Sequence, residues 1–307
     1  MFKAKKIIFL YTDTSVHPGA GDSAGIVDLP IQREVHTELP VIQGSELKGA
    51  LREYFETHLN ENDIRIKQVF GAPEAGDDKG SGGAIGLTMA RILLFPIASI
   101  KGVFAWVTCP MCLDALKRDL MAISTDKIKN TGLDRIPFVS DPKKAQIPES
   151  ANDLLVSDNI FLSEFPFKSQ ANKDLNAIAK WLSERLPSNY NYFKTKLFQQ
   201  NKNRVQSNLV LIHDNMFREL LKIRTEVVHR NQIDKKTGTS DGLWTEENLP
   251  GDTVMYSMIY AADPYKSSDD IQTADDVAGF FEQQQLTSLI LGGNQTVGRG
   301  WMSTTYF

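Results

Sequence analysis

The sequence predicts an α+β fold, and three observations predict it. Apolar runs of strand length and segments of helical periodicity interleave without a strict β-α-β-α alternation, which disfavours a doubly wound sheet. Hydrophobic residues make up 41% of the chain and charged residues 23%, an ordinary globular composition that excludes wholesale disorder, collagen and coiled coil. The length, 307 residues, suits one large domain or two modest ones.

The elements follow in order along the chain. Residues 4–12 read as a strand, and residues 14–25 as a small-residue loop carrying His17, Gly19 and Gly21. Leu47, Leu51, Tyr54, Phe55 and Leu59 recur at helical spacing, with Gly44 or Ser45 as N-cap and Lys48 and Arg52 on the opposite face. Residues 70–83 form a glycine-rich loop, and residues 84–95 and 102–107 suit buried strands. Leu113, Leu116, Leu120 and Met121 mark a helix opened by Pro110. Residues 125–170 are polar and read as an insertion of weak structure. An amphipathic helix follows over 173–186, with Leu175, Ile178, Trp181 and Leu182 inward. Leu209–Ile212 is a short strand, followed by a helix through Leu221, a β-rich stretch to Ile233 and a turn at residues 234–239. Strands at 253–261 and 286–291 flank a helix at 274–284, and the chain closes on a glycine loop and a last strand.

Charge and hydropathy narrow the function classes. Lys+Arg number 34 against 38 Asp+Glu, a formal net charge of −4, so any nucleic-acid role must draw on a local basic surface. No apolar run approaches the roughly 20 residues of a membrane span. The apolar stretch Ile7-Ile8-Phe9-Leu10 behind the basic start is too short for a signal-peptide core. Two cysteines make no disulfide framework. The expectation is a cytoplasmic protein with no membrane partner.

Several motifs carry chemistry. The run Leu291-Gly292-Gly293-Asn294-Gln295-Thr296-Val297-Gly298-Arg299-Gly300 has P-loop-like glycine spacing but lacks the Lys-Ser/Thr that holds phosphate and magnesium. It reads either as a backbone that approaches phosphate, with Arg299 beside it, or as a hairpin whose glycines serve turn geometry. Gly44, Ser45, Lys48 and Arg52 gather backbone N–H groups, a hydroxyl and two cations at a helix start; this is an anion site or a capped helix with a solvated face. Residues 218–236 hold six basic side chains (Arg218, Lys222, Arg224, Arg230, Lys235, Lys236) against three acidic ones, a phosphate-tracking surface or a solvated charge run. Asp28, close to a glycine loop and to Arg33, is either a turn aspartate or a carboxylate that binds metal or takes a proton. His17 is a loop histidine with no partner that sequence shows. Cys109-Pro110-Met111-Cys112 lacks the second ligand pair of a zinc site and reads as packed thiols.

Taken together, four segments resemble the RAMP superfamily of CRISPR-associated RNA-binding proteins, specifically the repeated backbone subunit of the type III-B (Cmr) effector complex. They are residues 25–34 (Gly-Ile-Val-Asp-Leu-Pro-Ile-Gln-Arg-Glu), residues 40–52 (Pro-Val-Ile-Gln-Gly-Ser-Glu-Leu-Lys-Gly-Ala-Leu-Arg), residues 90–96 with 104–108, and Leu243-Trp244-x-Glu246-Glu247-x-Leu249-Pro250 with the closing glycine loop. The resemblance implies a modified RRM-like (ferredoxin-like) palm with a β-hairpin thumb and a helical or irregular insertion. That is a single domain over 1–307: core 1–124 and 205–307, insertion about 125–204, thumb about 224–252. It implies partners as well: CRISPR RNA, complementary target RNA, neighbouring copies in a helical filament, and other type III-B effector subunits.

The implied activity is an endoribonuclease that cuts target RNA at regular intervals. The target's 2′-OH attacks the adjacent phosphate, leaving a cyclic phosphate, and the reaction depends on Mg2+ or Mn2+. Asp28 matches the acidic loop residue required for cleavage and the place for the metal, and no zinc is expected. Glu246 matches a supporting acid near the thumb, and His17 is a further catalytic candidate. Ser45, Lys48, Arg52, Arg224, Arg230, Gly292, Gly293, Gly298 and Arg299 match RNA contacts. The chain departs from its relatives at Leu87-Thr88-Met89-Ala90-Arg91, where they often carry an aspartate, and at Cys109-Pro110-Met111-Cys112. Three alternatives stay open: a guide-holding scaffold that does not cut, a phosphate-binding small-molecule enzyme, and a guide-processing endonuclease. The last would want a histidine near the glycine loop, and residues 278–307 contain none.

Overall fold

A computed structural model describes residues 2–21, 25–72, 80–149, 151–186 and 204–307. Its frame is a twelve-stranded sheet. At one end Trp301–Tyr306, Ala4–Thr12, Val254–Ala261 and Ala90–Ala98 lie side by side, each antiparallel to the next. The chain visits them in the order Ala4–Thr12, helix Gly44–Leu59, Ala90–Ala98, Val254–Ala261, helix Ala274–Gln283, Trp301–Tyr306. The sheet then continues through Phe104–Thr108, Leu209–Ile212, Lys144–Ile147, Phe165–Ala171 and Asn159–Leu162.

Both faces of this sheet are covered, and the sequence of Ala4–Thr12 says why. Its near-continuous apolar run sends Ile8 and Leu10 to one side and Ile7, Phe9 and Tyr11 to the other, because strand side chains alternate. On the first side Leu47, Leu51 and Phe55 of helix Gly44–Leu59 pack with Phe280 and Phe281 of helix Ala274–Gln283. On the second, Leu113, Leu116 and Leu120 of helix Pro110–Ile123 and Leu175, Ile178 and Leu182 of helix Asp174–Arg185 close the other layer. Each such buried side chain contributes roughly 1.5–3 kcal/mol of burial free energy.

The reading of residues 125–170 as weakly structured is corrected. Lys144–Ile147, Asn159–Leu162 and Phe165–Ala171 extend the sheet, burying Ala145, Ile147, Ile160, Leu162 and Phe167. Such short strands give too few alternations to rise above their polar surroundings. Residues 187–203 of the expected insertion lie outside the described residues. The N-cap of the first long helix is also corrected. Gln43 occupies it without a side-chain bond, and the helix begins at Gly44, where a Cβ would stand 2.5 Å from the Leu87 carbonyl. The glycine lets the helix press against its neighbouring strand. Among the described residues no helix is long and apolar enough to cross a membrane.

Glu226–Ile233 and Ser240–Asn248 form a separate two-stranded hairpin between Leu221 and the strand Val254–Ala261. Its far end is exposed at Ile233 and Leu243, and its root at Glu246, Glu247 and Asn248 is buried. The hairpin spans residues for which the family resemblance implies a thumb.

Phe55 is 1% exposed and meets Phe70, Phe280 and Phe281 with ring centroids 6.1, 4.7 and 5.6 Å away. Phe55→Ala is expected to cost about 3–5 kcal/mol, read as a lower urea midpoint with an unchanged slope.

Candidate functional site

Three consecutive residues at the hairpin root, Thr245, Glu246 and Glu247, gather the loops into one site. Strand alternation sends Thr245 and Glu247 to one side and Glu246 to the other. The Thr245 backbone N–H and hydroxyl donate to Asp28 Oδ2 at 2.7 and 2.8 Å, and the Asp28 N–H donates to Thr245 Oγ1 at 2.9 Å. Leu29 N donates to Thr245 O at 3.1 Å and Glu247 N to Leu29 O at 2.9 Å, so the Asp28 segment runs along the hairpin's edge like a further strand. Asp28 itself is exposed. The Thr245 backbone donor, and then its hydroxyl, hold the Asp28 carboxyl below the usual aspartate range. It is therefore a fixed, ionised carboxylate with Oδ1 free of described partners.

Glu247 is buried behind it. Arg33 donates to its Oε1 at 2.5 Å, the Thr225 hydroxyl to the same oxygen at 2.6 Å, and the Ile31 N–H to Oε2 at 3.1 Å. Glu246, 2% exposed, faces the glycine loop. Arg299 reaches its Oε1 at 2.6 Å and Asn294 Nδ2 its Oε2 at 2.7 Å. Arg299, expected beside phosphate, is thus committed to a buried ion pair, and Glu246 ties the thumb root to that loop. Thr245 does not stand out in sequence, because its partner Asp28 lies 217 residues away.

His17 joins the same network. A carbonyl only accepts, so the 2.6 Å contact with Glu247 O places the proton on His17 Nδ1. His17 O receives the Gly293 N–H at 3.2 Å, and a Cβ on Gly292, at φ +84°, would stand 2.6 Å from His17 O. The glycine loop is therefore pressed onto the His17 segment, and its glycines serve close packing. Gly298, also at positive φ, ends the helical turn Gln295–Val297 with open space around it. Between this loop and helix Gly44–Leu59 lies an open cleft of about 450 Å³ lined by His17, Gly19, Glu46, Glu53, Gly292 and Gly293. Burial pushes the Glu46 carboxyl above its ordinary range, against a hydrogen bond from Gln32 at 2.8 Å.

The other sequence candidates are more dispersed. Ser45 is exposed on the first turn of its helix. Lys48 donates to Ile85 O at 3.0 Å, and burial, then Arg52, holds its ammonium below the usual lysine range. Arg52 pairs with Glu56 at 2.6 Å and donates to Gly71 O at 3.2 Å. Arg224 pairs with Glu164 and lies 6.0 Å from the Phe165 ring centroid. Arg230 sits on the hairpin opposite Trp244. Cys109 and Cys112 are buried with their Sγ atoms 3.5 Å apart, and burial pushes the Cys109 thiol up.

Residues 9–303 match the model of the RAMP superfamily. The chain is 34% identical over 303 residues to the CRISPR system Cmr endoribonuclease Cmr4 of Pyrococcus furiosus, covering 97% of this chain and 94% of that protein. It is 27% identical to the CRISPR system CMR subunit Cmr4 of Saccharolobus solfataricus, covering 96% and 94%. Its fold is similar to the crystal structure of oligomeric Cmr4 from Pyrococcus furiosus, with a TM-score of 0.69, 28% identity and coverage of 99% and 98%.

Thr245→Val keeps the backbone donor to Asp28 and removes the hydroxyl. The Asp28 carboxyl is expected to titrate at higher pH than in the wild type, read by 13C NMR of its side-chain carbonyl, whereas Thr245→Ser should leave it in place. Glu246→Ala strands the Arg299 guanidinium and is expected to cost about 3–5 kcal/mol in chemical denaturation.

Proposed function

The chain belongs to the RAMP superfamily, and from that premise we propose that it is the guide-bound backbone subunit of a type III-B CRISPR effector, one that cuts complementary target RNA beside Asp28. The observation that carries the reading is an exposed carboxylate, fixed by two donors from Thr245, at the foot of a protruding hairpin. The endoribonuclease name of the Pyrococcus furiosus relative supports it. So does the oligomeric state of the structurally similar Cmr4, which supports copies of this chain stacking along the guide. The RRM-like palm is supported by the strand–helix–strand–strand–helix–strand order, whose neighbours are all antiparallel. On this reading residues 1–307 are one RAMP domain, with the thumb and insertion grafted on the palm.

RNA does not stack on the palm sheet, because helices cover both of its faces. It runs over the loops instead, along the cleft between helix Gly44–Leu59 and the glycine loop, which Gly292 and Gly293 line; Ser45 and Lys48 lie on the same helix and Gly298 in the same loop. The thumb, with Arg230 on it, displaces a target nucleotide and sets the neighbouring 2′-OH in line with its phosphate.

Asp28 is the residue that would hold a divalent ion, through Oδ1. Among the described residues no three His, Cys, Asp or Glu side chains cluster, so this chain fits an ion completed by RNA phosphate and water. When bound, Mg2+ or Mn2+ supplies charge neutralisation at the phosphate oxygens. Asp28, whose carboxyl its Thr245 bonds hold below the usual aspartate range, accepts or orients the 2′-hydroxyl proton. His17, locked as a donor to Glu247 O, braces the thumb root against the glycine loop. The alternative is a guide-holding subunit that does not cut.

Asp28→Asn in the assembled guide complex is expected to lower cleavage at every interval by at least about 10²-fold while guide and target binding persist. EDTA should silence the wild type equally, and Mn2+ or Mg2+ should restore it. Cleavage that survives Asp28→Asn assigns the subunit to the scaffold role.

A further inference from the structure

His229 lies directly across the hairpin from Thr245, the residue that fixes Asp28. Paired residues of an antiparallel ladder project to the same face, so His229 shares the face of the Thr245 side chain. The kind of pair follows from the backbone bonds. Both the N–H and the C=O of Thr245 are engaged by the Asp28 segment on the outer edge of the strand. Neither is left for the His229 strand, which makes this the non-hydrogen-bonded, closer kind of pair. Asp28, Thr245 and His229 therefore stand abreast, with the carboxylate at one end and the imidazole at the other, and roughly 4.5–5.5 Å between the Cβ atoms of the last two.

We propose that His229 is the general acid that protonates the leaving 5′-oxygen when target RNA is cut, a proposal that rests on Asp28 marking the cleavage position. An in-line displacement needs its base and its acid on opposite sides of one phosphorus, and two groups flanking Thr245 provide that separation. The imidazole is exposed and makes no hydrogen bond or ion pair with any described residue, so it is free to meet a substrate. Its neighbours on that face are Val227 and Asn231 on its own strand and Glu247 and Leu243 diagonally across. The one charged group among them, Glu247, is already neutralised by Arg33. Imidazole is the side chain most often used as a general acid.

The step balances as follows. The 2′-oxygen forms a bond to phosphorus and gives its proton to the Asp28 side. The bond from phosphorus to the 5′-oxygen breaks, and its electron pair takes the proton of the His229 imidazolium. The products are a 2′,3′-cyclic phosphate and a 5′-hydroxyl, with no net oxidation or reduction, and water returns the proton to the imidazole.

The test uses the assembled guide complex and two synthetic targets, one natural and one with sulfur replacing the 5′-oxygen at the cleavage position. The thiolate leaves without protonation. His229→Gln and His229→Ala are expected to slow the natural target by about 10²-fold or more, and the sulfur-bridged target by no more than a few-fold. Wild-type cutting of the natural target by both variants overturns the proposal. Equal slowing of both targets also overturns it, because His229 then only holds the thumb or the RNA. Asp28→Asn, run in parallel, separates the two readings: if it cuts normally, the assignment of Asp28 fails whatever His229 does.

Discussion

Glu246 and Glu247 are carboxylates taken out of water on consecutive residues of one strand, and each demands compensation. Desolvating an ion costs several kcal/mol even after relaxation, so a buried carboxylate is tolerated only where donors surround it. Glu247 meets the demand with Arg33, Thr225 and the Ile31 N–H; Glu246 does so with Arg299 and Asn294. Because alternation sends the two side chains opposite ways, one strand clamps the segment around residues 28–33 on one side and the glycine loop on the other. Asp28 owes its fixed position to this clamp. Thr245 is the next residue along, and it moves only if both ion pairs move.

The palm explains why chemistry gathers at the loops. A sheet with apolar side chains on both faces must be covered on both, and helices do so. No broad polar face remains for stacked bases, so under the proposed function nucleic acid would follow the rim where the loop around residues 25–34, the thumb root and the glycine loop meet. The cleft against helix Gly44–Leu59 lies on that rim, and the close approach of Gly44 to Leu87 O draws the helix to it. Packing in the core thus dictates where the site can be.

Much of this was legible in the sequence, and the limits have physical causes. The apolar run of residues 4–12 and the 3.6-residue spacing of Leu47, Leu51 and Phe55 fix a two-sided strand and a covering helix directly. The strands Lys144–Ile147 and Asn159–Leu162 are missed because two buried side chains each make no period. Asp28 and Glu246 were reached through the family resemblance, whereas Thr245 and His229 were not. Their importance arises from strand register and from a contact that spans most of the chain, and no local pattern encodes either. The cations are a different case. Lys48, Arg52 and Arg299 look like phosphate contacts by type and spacing, yet the fold turns them to Ile85 O, Glu56 and Glu246.

That turning inward bears on how a chain of net charge −4 would work on RNA under the proposed function. Of the basic run at 218–236, Arg218 and Lys222 are tied to Glu38 and Glu219, and Arg224 to Glu164. Arg230, Lys235 and Lys236, all on the hairpin or its turn, have no ion pair among the described residues. Within that run, positive charge free to meet phosphate is thereby concentrated on the hairpin. Affinity from counterion release scales with the number of phosphates neutralised, so one such subunit would hold RNA weakly. Repetition along a strand turns each further contact into an intramolecular one and raises the total without new contacts per copy. A subunit built this way needs only a few free cations, provided that its buried ones keep thumb, glycine loop and Asp28 in register from copy to copy.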